Sequence, residues 1–540
     1  MKFVFSLAFI AWLTMPAVAQ QSFTRADTLR GLLTPARTCY DVTFYHLKLT
    51  VDPARQAIAG SNAIVFRAVH DFDSLQVDLF PQLIIDSIVF DGKKLKYRRD
   101  ANAVFVRFHE TQRLGGKGRL TLHYHGKPIA AQNAPWDGGF VWGRDTNGKP
   151  WVGVACQGTG ASAWWPNKDH QSDEPDSMRM DFTVPAGLRC VSNGQLIRTQ
   201  ENDDNTVTWR WIVSYPINNY NVTFNLADYG SFHENFVGAN NDTLSLNYFP
   251  LAQNEPIAKA HFKQVQPMLA CYEKYFGPYP FYRDGFKLVE TTYWGMEHQS
   301  CIAYGNAFQN NKLGFDFIIV HESGHEWWGN LLTASDIADM WLHESFTTYG
   351  EALYVECRYD YETALKYMMD MRWKIADKQP VIGPYDVNFQ AGDTDMYYKG
   401  AWMLQSFRSQ LNNDSLFFSI LRGLLDEFAF VPVNSNDVLN FIISKAGAEY
   451  KPFFDQYLRY QNPPLLSVSK RKKKNGTEVT MRWITDVKDF TMNVELASPN
   501  DKQTLSVSSE RSITHHFPNV KPADIVMLPD RYYFKETVRR

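Results

Sequence analysis

Two histidines four residues apart, with a glutamate directly after the first, form the segment of this sequence best suited to chemistry. They are His321, Glu322 and His325, in the stretch VHESGHEWWGN at residues 320–330. On a helix, positions i and i+4 lie on one face, so both imidazoles can reach one point. Zinc accepts neutral imidazole nitrogens, and Glu322 would reach a water on the metal without being a ligand. The spacing therefore predicts a zinc site with its own base, the alternative being an ordinary buried helix whose histidines are hydrogen-bonded.

A third ligand would decide between these alternatives, because a catalytic zinc site has three protein ligands and one open position. Residues 339–360 are predicted to form a second helix, and Glu344 lies near its start. The stretch TASDIADM, residues 333–340, is long enough to reverse the chain, so Glu344 would lie beside both histidines. One zinc per chain is therefore expected. Glu351, two turns further along the same face, is a candidate acceptor for the second N–H of a ligand imidazole.

The composition is that of a globular protein with several domains. The chain has 540 residues, of which 44% are hydrophobic and 21% charged, and its net charge is −3. A chain of this length is expected to divide into two to four domains. Because there is no basic excess, we expect no nucleic-acid partner. The six cysteines are scattered without a CxxC pair, which disfavours a cysteine zinc site and assigns no disulfide, although an exported chain can form one or two.

The first 19 residues have the pattern of a secretory signal peptide. Lys2 precedes an apolar run at residues 3–14, and Ala17-Val18-Ala19 forms a small-x-small motif that predicts cleavage after Ala19. The run is too short to cross a bilayer comfortably, and a membrane anchor is the less favoured alternative. We expect an exported protein, periplasmic or secreted, without a stable membrane anchor.

The rest of the chain predicts a multidomain α+β fold in three parts. Alternating segments such as YHLKLTV at 45–51 predict an antiparallel β domain over residues 20–235. Helical spacing then predominates over residues 236–462, beginning with a helix from Asn254 to Gly277. The segment QNPPLL interrupts this pattern, and strand alternation returns in a small β domain over residues 463–540.

Four segments together resemble the gluzincin zinc aminopeptidases of the aminopeptidase N and leukotriene hydrolase type. HESGHEWWGN…WLHESF is similar to the family pattern HExxHxWxGN…WLNEGF, and GMEH at residues 295–298 is similar to GxMEN. MYYKG resembles the family's YxKG, and VACQGTGASAWWPNKDHQSDEP resembles a stretch of its N-terminal domain. Five positions differ from the family pattern, but none is a metal ligand or the expected base: Trp294, His298, Glu326, His343 and Ser345.

The resemblance implies hydrolysis of the first peptide bond of peptides with a free N-terminus. Glu322 would be the general base, and Tyr397 would donate a hydrogen bond to the developing oxyanion. Glu297, helped by Gln157, would receive the α-ammonium, and the backbone of Gly295 and Met296 would run along the substrate. The alternatives are that Glu297 is a structural ion-pair partner and that Tyr397 is an ordinary core tyrosine.

The resemblance also implies how the three parts are built. It implies an antiparallel N-terminal β domain, a thermolysin-like and mainly helical catalytic domain with zinc between two helices, and a C-terminal β-sandwich. We expect a short, secreted, bacterial-like member without the large helical C-terminal domain of many relatives. Because Trp294 replaces a glycine of the family pattern, we expect it to narrow the pocket for the N-terminal side chain.

Two other functions remain in competition with an aminopeptidase. A zinc endopeptidase would use the same histidines and base without an amine anchor. A non-catalytic binding or scaffold protein of the same fold would be expected to lack a ligand or the base, whereas this sequence keeps both. An epoxide hydrolase side activity is implied by the likeness alone, and the sequence predicts no particular oligomeric state.

Overall fold

The N-terminal region consists almost entirely of strands, preceded by two short helices. The computed structural model describes residues 23–389, 393–499 and 501–539, so the predicted signal peptide lies outside the described residues. The two helices are α1 (Arg25–Gly31) and α2 (Pro35–Thr38). The strands are β1 (Tyr40–Asp52), β2 (Ala57–Ala68), β3 (Phe72–Asp78), β4 (Leu83–Phe90), β5 (Lys93–Lys94), β6 (Lys96–Asp100), β7 (Ala103–Gln112), β8 (Lys117–Gly126), β9 (Gly139–Arg144), β10 (Pro150–Ala155), β11 (Ser177–Pro185), β12 (Arg189–Ser192), β13 (Gln195–Glu201), β14 (Thr206–Val213) and β15 (Phe224–Ala227).

Period-two alternation gives strands such as β1 and β8 one buried face, as predicted. In β1, Leu47 and Leu49 are buried whereas Lys48 and Thr50 are exposed. The largest sheet has the order β13-β14-β11-β1-β2-β8-β4-β5, and two smaller sheets have the orders β12-β15-β10-β9 and β3-β7-β6. The large sheet is mixed rather than wholly antiparallel, because β1 pairs in parallel with β11. The residues between these two strands supply the long crossover that a parallel pair requires.

The middle region combines one small sheet with most of the helices. The sheet has the order β16-β17-β18-β20-β19, so the short strand β19 lies at its edge. The predicted boundary between residues 235 and 236 falls within β16. The strands and helices are β16 (Phe232–Val237), β17 (Thr243–Phe249), α3 (Glu255–His261), α4 (Val265–Phe276), β18 (Phe286–Glu290), β19 (Gly295–Met296), β20 (Ile302–Tyr304), α5 (Phe317–Gly324), α6 (Trp341–Arg358), α7 (Tyr361–Met371), α8 (Tyr398–Leu411), α9 (Asp414–Glu427), α10 (Ser435–Ala446) and α11 (Lys451–Arg459).

The helix predicted from Asn254 to Gly277 is interrupted near its middle. A 3₁₀ turn at Phe262–Gln264 separates α3 from α4. Pro267 explains the break, because it has no N–H for the carbonyl of Lys263 and its ring crowds that carbonyl. Gly277 ends α4 with φ 98°, a value that glycine adopts without strain.

A disulfide joins α4 to α6 and braces the helix that carries two predicted site residues. Cys271 and Cys357 are bonded, with their Cα atoms 6.0 Å apart. The sequence did not assign this pair. The other four cysteines are buried and unbonded: Cys39, Cys156, Cys190 and Cys301.

The C-terminal region forms two sheets, as expected for a β-sandwich. Their orders are β25-β22-β21-β27 and β24-β23-β26. Their strands are β21 (Leu465–Lys473), β22 (Gly476–Ile484), β23 (Thr491–Ser498), β24 (Asp501–Ser508), β25 (Ile513–Pro518), β26 (Val526–Met527) and β27 (Lys535–Arg539). The apolar residues of these sheets form one continuous core with the helices. In the described parts of the chain, no helix has both the length and the apolar character needed to cross a bilayer.

Candidate active site

Two helices bring three ligand-type side chains to one point. Asp316 caps α5 by accepting a hydrogen bond from the backbone N–H of Ile318, and His321 lies near the end of this helix. His325 follows the last residue of α5 but keeps helical angles, φ −65° and ψ −17°, so the i, i+4 relation is preserved. The two Nε2 atoms lie 3.3 Å apart. Glu344, in the first turn of α6, places its Oε2 3.6 Å from His321 Nε2 and 3.4 Å from His325 Nε2.

The outer nitrogen of each histidine is already engaged, which orients the inner one. Nδ1–H of His321 donates to Oε1 of Glu351 at 2.7 Å, and Nδ1–H of His325 donates to the carbonyl of Trp328 at 2.9 Å. Each Nε2 is then an unprotonated acceptor, and these two acceptors face a carboxylate. The predicted role of Glu351 as an imidazole acceptor matches this contact, and the hydroxyl of Tyr367 donates to its other oxygen.

These three side chains fit a zinc ion. Three lone-pair atoms converge within 4.8 Å of one another, and all three residues are buried. Oε2 of Glu344 has no hydrogen-bond partner in the described parts of the chain, although it is fully enclosed. A buried carboxylate oxygen without a donor is costly, and a cation between the three atoms would satisfy it. Two imidazoles and one carboxylate are the ligand set of a catalytic zinc site.

Glu322 lies beside the three ligand-type side chains, and Gly295 leaves the space that its carboxylate occupies. Burial raises the pKa of its carboxyl to about 7. A Cβ atom on Gly295 would lie 2.4 Å from Oε1 of Glu322, so a side chain at residue 295 would displace this carboxylate. The close approach explains why glycine is needed at the start of β19.

The opposite end of the site is built around Glu297, directly after β19. Nε2 of Gln157 donates to its Oε1 at 2.6 Å, and the hydroxyl of Tyr220 donates to the same oxygen at 3.1 Å. Nδ2 of Asn330 donates to the backbone carbonyl of Glu297 at 3.0 Å. Burial raises the pKa of Glu297. Met296 packs into the core of the N-terminal region, so the edge strand directly before Glu297 is held against that region.

His343, which differs from the family pattern, supports this end of the site through Tyr220. Its Nε2 accepts a hydrogen bond from the backbone N–H of Ala334 at 2.8 Å, which leaves Nδ1 as the donor to the Tyr220 hydroxyl at 3.3 Å. Burial lowers the pKa of His343 to about 3, so the ring is neutral. A chain of hydrogen bonds therefore runs from the backbone through His343 and Tyr220 to Glu297. Tyr220 was missed by the sequence analysis, because nothing in its own segment PINNYNVTF indicates this contact.

Tyr397 lies against His321, one of the three ligand-type side chains. It immediately precedes α8, and its ring stacks on that of His321 with centroids 6.1 Å apart and an interplanar angle of 28°. Burial, with the nearby carboxylates of Glu344 and Glu297, raises the pKa of the Tyr397 hydroxyl well above its usual value. The hydroxyl is therefore protonated at neutral pH and is available as a donor.

All nine site residues predicted from the sequence line one cleft. Its volume is about 600 Å³. The lining includes Gln157, Gly295, Met296, Glu297, His321, Glu322, His325, Glu344 and Tyr397. The structure therefore brings together segments from residue 157 to residue 397.

Comparison with known proteins shows which proteins this chain resembles in sequence and in fold. The model for the peptidase family M1 domain matches residues 261–457. A two-domain M1 zinc metallopeptidase bound to L-tryptophan aligns with a TM-score of 0.68 at 21% identity, covering 79% of this chain and 95% of that one. An M1 zinc metallopeptidase of Deinococcus radiodurans, bound to a Tyr-Ser-Ala substrate, aligns with a TM-score of 0.66 at 21% identity, covering 79% and 95%. The fold is that of these M1 enzymes, which confirms the predicted fold class.

Curated relatives agree with this assignment. Probable aminopeptidase 1 of Saccharolobus solfataricus is 21% identical over 413 residues, which cover 72% of this chain and 50% of the relative. Leukotriene A-4 hydrolase of Xenopus laevis is 23% identical, over 75% of this chain and 68% of the relative. The chain thus spans only half the length of the first of these relatives. The helical region at residues 261–457 matches the M1 peptidase family model, and the predicted resemblance to the gluzincin zinc aminopeptidases is confirmed.

Proposed function

We propose that this protein is a zinc-dependent aminopeptidase that removes the N-terminal residue of peptides with a free α-amine. The observation that carries the proposal is that the expected amine anchor, Glu297, lies close to the expected base, Glu322, and to the histidine His325. Carboxylate oxygens of Glu297 and Glu322 and a ring nitrogen of His325 lie within 4.8 Å of one another. An ammonium held by Glu297 would therefore lie about one residue from the bond that Glu322 and the metal can reach, a spacing typical of an exopeptidase.

Different residues of the cleft would bind the metal, transfer the proton and stabilise the oxyanion. Zinc held by His321, His325 and Glu344 would polarise the scissile carbonyl and acidify a water. Glu322 would take the proton of the attacking water and deliver it to the leaving amine. A pKa of about 7 suits both directions of this transfer near neutral pH. Tyr397, protonated and stacked on His321, would donate to the carbonyl oxygen as negative charge develops there.

Substrate binding would depend on the amine end and the edge strand. Glu297 would accept the α-ammonium, and Gln157 and Tyr220 hold its carboxylate in position. The outer edge of β19 pairs with no strand of the described residues, so an extended peptide could add there through backbone hydrogen bonds. Such pairing would recognise the peptide backbone without regard to side chains.

The function is tested by metal content and by blocking the amine. Protein purified without chelators should contain about one zinc per chain, since the described residues contain one two-histidine, one-glutamate cluster. Peptides with a free N-terminus should be hydrolysed, whereas the same peptides with an N-acetyl group should not. Equal cleavage of both would favour the endopeptidase alternative. Protein that lacks zinc and gains no activity on adding it would favour a non-catalytic role.

We also propose that the protein is exported from the cytosol and works in the periplasm or outside the cell. Its signal peptide would be cleaved after Ala19. The disulfide between Cys271 and Cys357 supports this proposal, because such bonds persist in oxidising compartments and are rare in the cytosol. N-terminal sequencing of protein recovered from the periplasm or the culture medium tests it. A mature chain that begins at Gln20 is the expected result, and a full-length chain retained with the cytosolic fraction would contradict it.

A further inference from the structure

We propose that Trp294 and Phe317 form a binding surface for an aromatic or large apolar side chain on the leaving side of the scissile bond. This pair of rings, here called the Trp294–Phe317 platform, would contact the second or third residue of the peptide. The inference rests on the proposed function and adds a substrate preference to it. It also places Trp294 away from the pocket for the N-terminal side chain, where the sequence analysis had expected it.

Contacts with neighbouring residues hold the Trp294 ring in place, although nearly half of Trp294 is exposed to solvent. The Trp294 side chain is 46% exposed, and it lines the cleft together with Phe317. Its indole N–H donates to Oδ1 of Asn306 at 2.9 Å, and its ring meets that of Phe317 edge-on with centroids 5.1 Å apart. An exposed aromatic ring that is already fixed loses little conformational entropy on binding a ligand. Burying its free face would therefore contribute directly to affinity.

Helix α5 shows where the platform lies relative to the amine anchor. Phe317 is the first residue of α5 and His325 follows its last residue, so roughly 12 Å separates them along the axis at 1.5 Å per residue. Glu297 lies at the His325 end of the helix, because a carboxylate oxygen of Glu297 lies within 4.8 Å of a ring nitrogen of His325. Trp294 contacts the Phe317 end. The platform and the amine anchor are therefore at opposite ends of the metal-binding helix.

An extended peptide would cover this distance with its first three residues. Its N-terminus would lie at Glu297, and the chain would advance about 3.3 Å per residue along β19 past Gly295 toward Trp294. The aromatic surface is continuous along this path. The ring centroid of Phe317 lies 6.0 Å from that of His321, and the ring of His321 lies 6.1 Å from that of Tyr397. A side chain following the scissile bond would therefore meet aromatic rings along this part of the cleft.

The test compares three tripeptides on the zinc-loaded, full-length protein: Leu-Phe-Ala, Leu-Ala-Phe and Leu-Ala-Ala. We expect kcat/KM to be about tenfold higher for at least one phenylalanine peptide, mainly through a lower KM, since one buried aromatic contact of about 1.4 kcal/mol corresponds to tenfold. In Trp294→Ala this ratio should fall to about one. Trp294→Phe, which keeps a ring without the hydrogen bond to Asn306, should retain most of it.

A second exposed tryptophan provides the matched control. Trp373 is 79% exposed and does not line the cleft, so Trp373→Ala should keep the wild-type ratio. A wild-type ratio near one, or an unchanged ratio in Trp294→Ala, would overturn the inference.

Binding separates this inference from the proposed function. Dissociation constants for the three tripeptides would be measured by calorimetry on the Glu322→Gln protein, with and without Trp294→Ala. A wild-type protein that hydrolyses none of them would refute the aminopeptidase, while tighter binding of the phenylalanine peptides that depends on Trp294 would still support the platform. Equal binding of all three peptides would refute the platform whether or not turnover is seen.

Discussion

The two ends of the cleft are built in different ways. At the metal end, all three ligand-type side chains come from residues 321–344, on two consecutive helices, and backbone geometry sets their spacing. At the amine end, Gln157, Tyr220 and Glu297 come from three distant segments, and side-chain hydrogen bonds hold them together. The metal end therefore depends on local structure, whereas the amine end depends on contact between the N-terminal and middle regions.

Because of this difference, we expect substitutions at the two ends of the cleft to have different effects. A ligand on a helix is fixed by its backbone and by one outer hydrogen bond, such as that from His321 to Glu351. Glu297 follows a strand of two residues and relies on donors from another region. Changes at the metal end should therefore affect metal content or chemistry, and changes at the amine end should affect substrate recognition while zinc remains bound.

Glu322→Gln should have the largest effect, and it should affect chemistry alone. Removing a general base lowers turnover by about 10²- to 10⁴-fold. Zinc content should stay at one per chain, because Glu322 lies outside the cluster of His321, His325 and Glu344. Steady-state kinetics and metal analysis on the same preparation measure both. Undiminished turnover would show that another group is the base, and loss of zinc would show that Glu322 belongs to the ligand set.

Glu297→Ala should come next, and it should leave the metal end intact. A buried carboxylate that pairs with an ammonium in a water-poor cleft contributes strongly, so kcat/KM should fall by roughly 10²-fold, or about 3 kcal/mol. The isosteric Glu297→Gln protein tests whether charge rather than shape matters and should lose a similar amount. Wild-type kcat/KM on free-amine peptides, in folded and zinc-loaded protein, would mean that another group binds the amine.

Glu351→Gln should weaken the metal end without removing a ligand. Nδ1 of His321 would lose its carboxylate acceptor, and loss of such a partner costs about 10- to 100-fold in metal affinity or activity. Glu356→Gln, on the same helix, removes a carboxylate that pairs with Arg408 instead. Zinc affinity measured by competition with a chelator should fall only in the first variant. Equal affinities in the two proteins would contradict the role of Glu351.

The sequence predicted the metal end more completely than the amine end, for a physical reason. Helical periodicity links His321, His325, Glu344 and Glu351 through fixed spacing, so their convergence follows from two helices and a reversal. No such rule links Gln157 to Glu297, and only the resemblance connected them. Tyr220 and the supporting role of His343 depend on how two regions meet, which spacing along the chain does not encode. The parallel pairing of β1 with β11 was missed for the same reason, whereas the break at Pro267 is a local effect of proline that the sequence analysis overlooked.

The smallest effect is expected at the amine end, from loss of the Tyr220 hydroxyl. Tyr220→Phe removes the hydroxyl that donates to Glu297 and contacts His343, while leaving the ring in place. A hydrogen bond to a charged group contributes about 1.5–3 kcal/mol, but Gln157 still donates to the same oxygen. We therefore expect kcat/KM to fall by about tenfold, mainly through KM, with zinc content unchanged.

A second buried tyrosine shows whether such a loss is specific. The hydroxyl of Tyr229 donates to the backbone carbonyl of Glu290 at 2.9 Å and lies outside the cleft lining, so Tyr229→Phe should lower stability without changing KM. If Tyr220→Phe also changes only the melting temperature, the hydrogen-bond chain through His343 is structural. A rise in KM for free-amine peptides would show that positioning Glu297 depends on a residue more than seventy positions away in sequence. That result would establish that the amine end, unlike the metal end, depends on contact between regions.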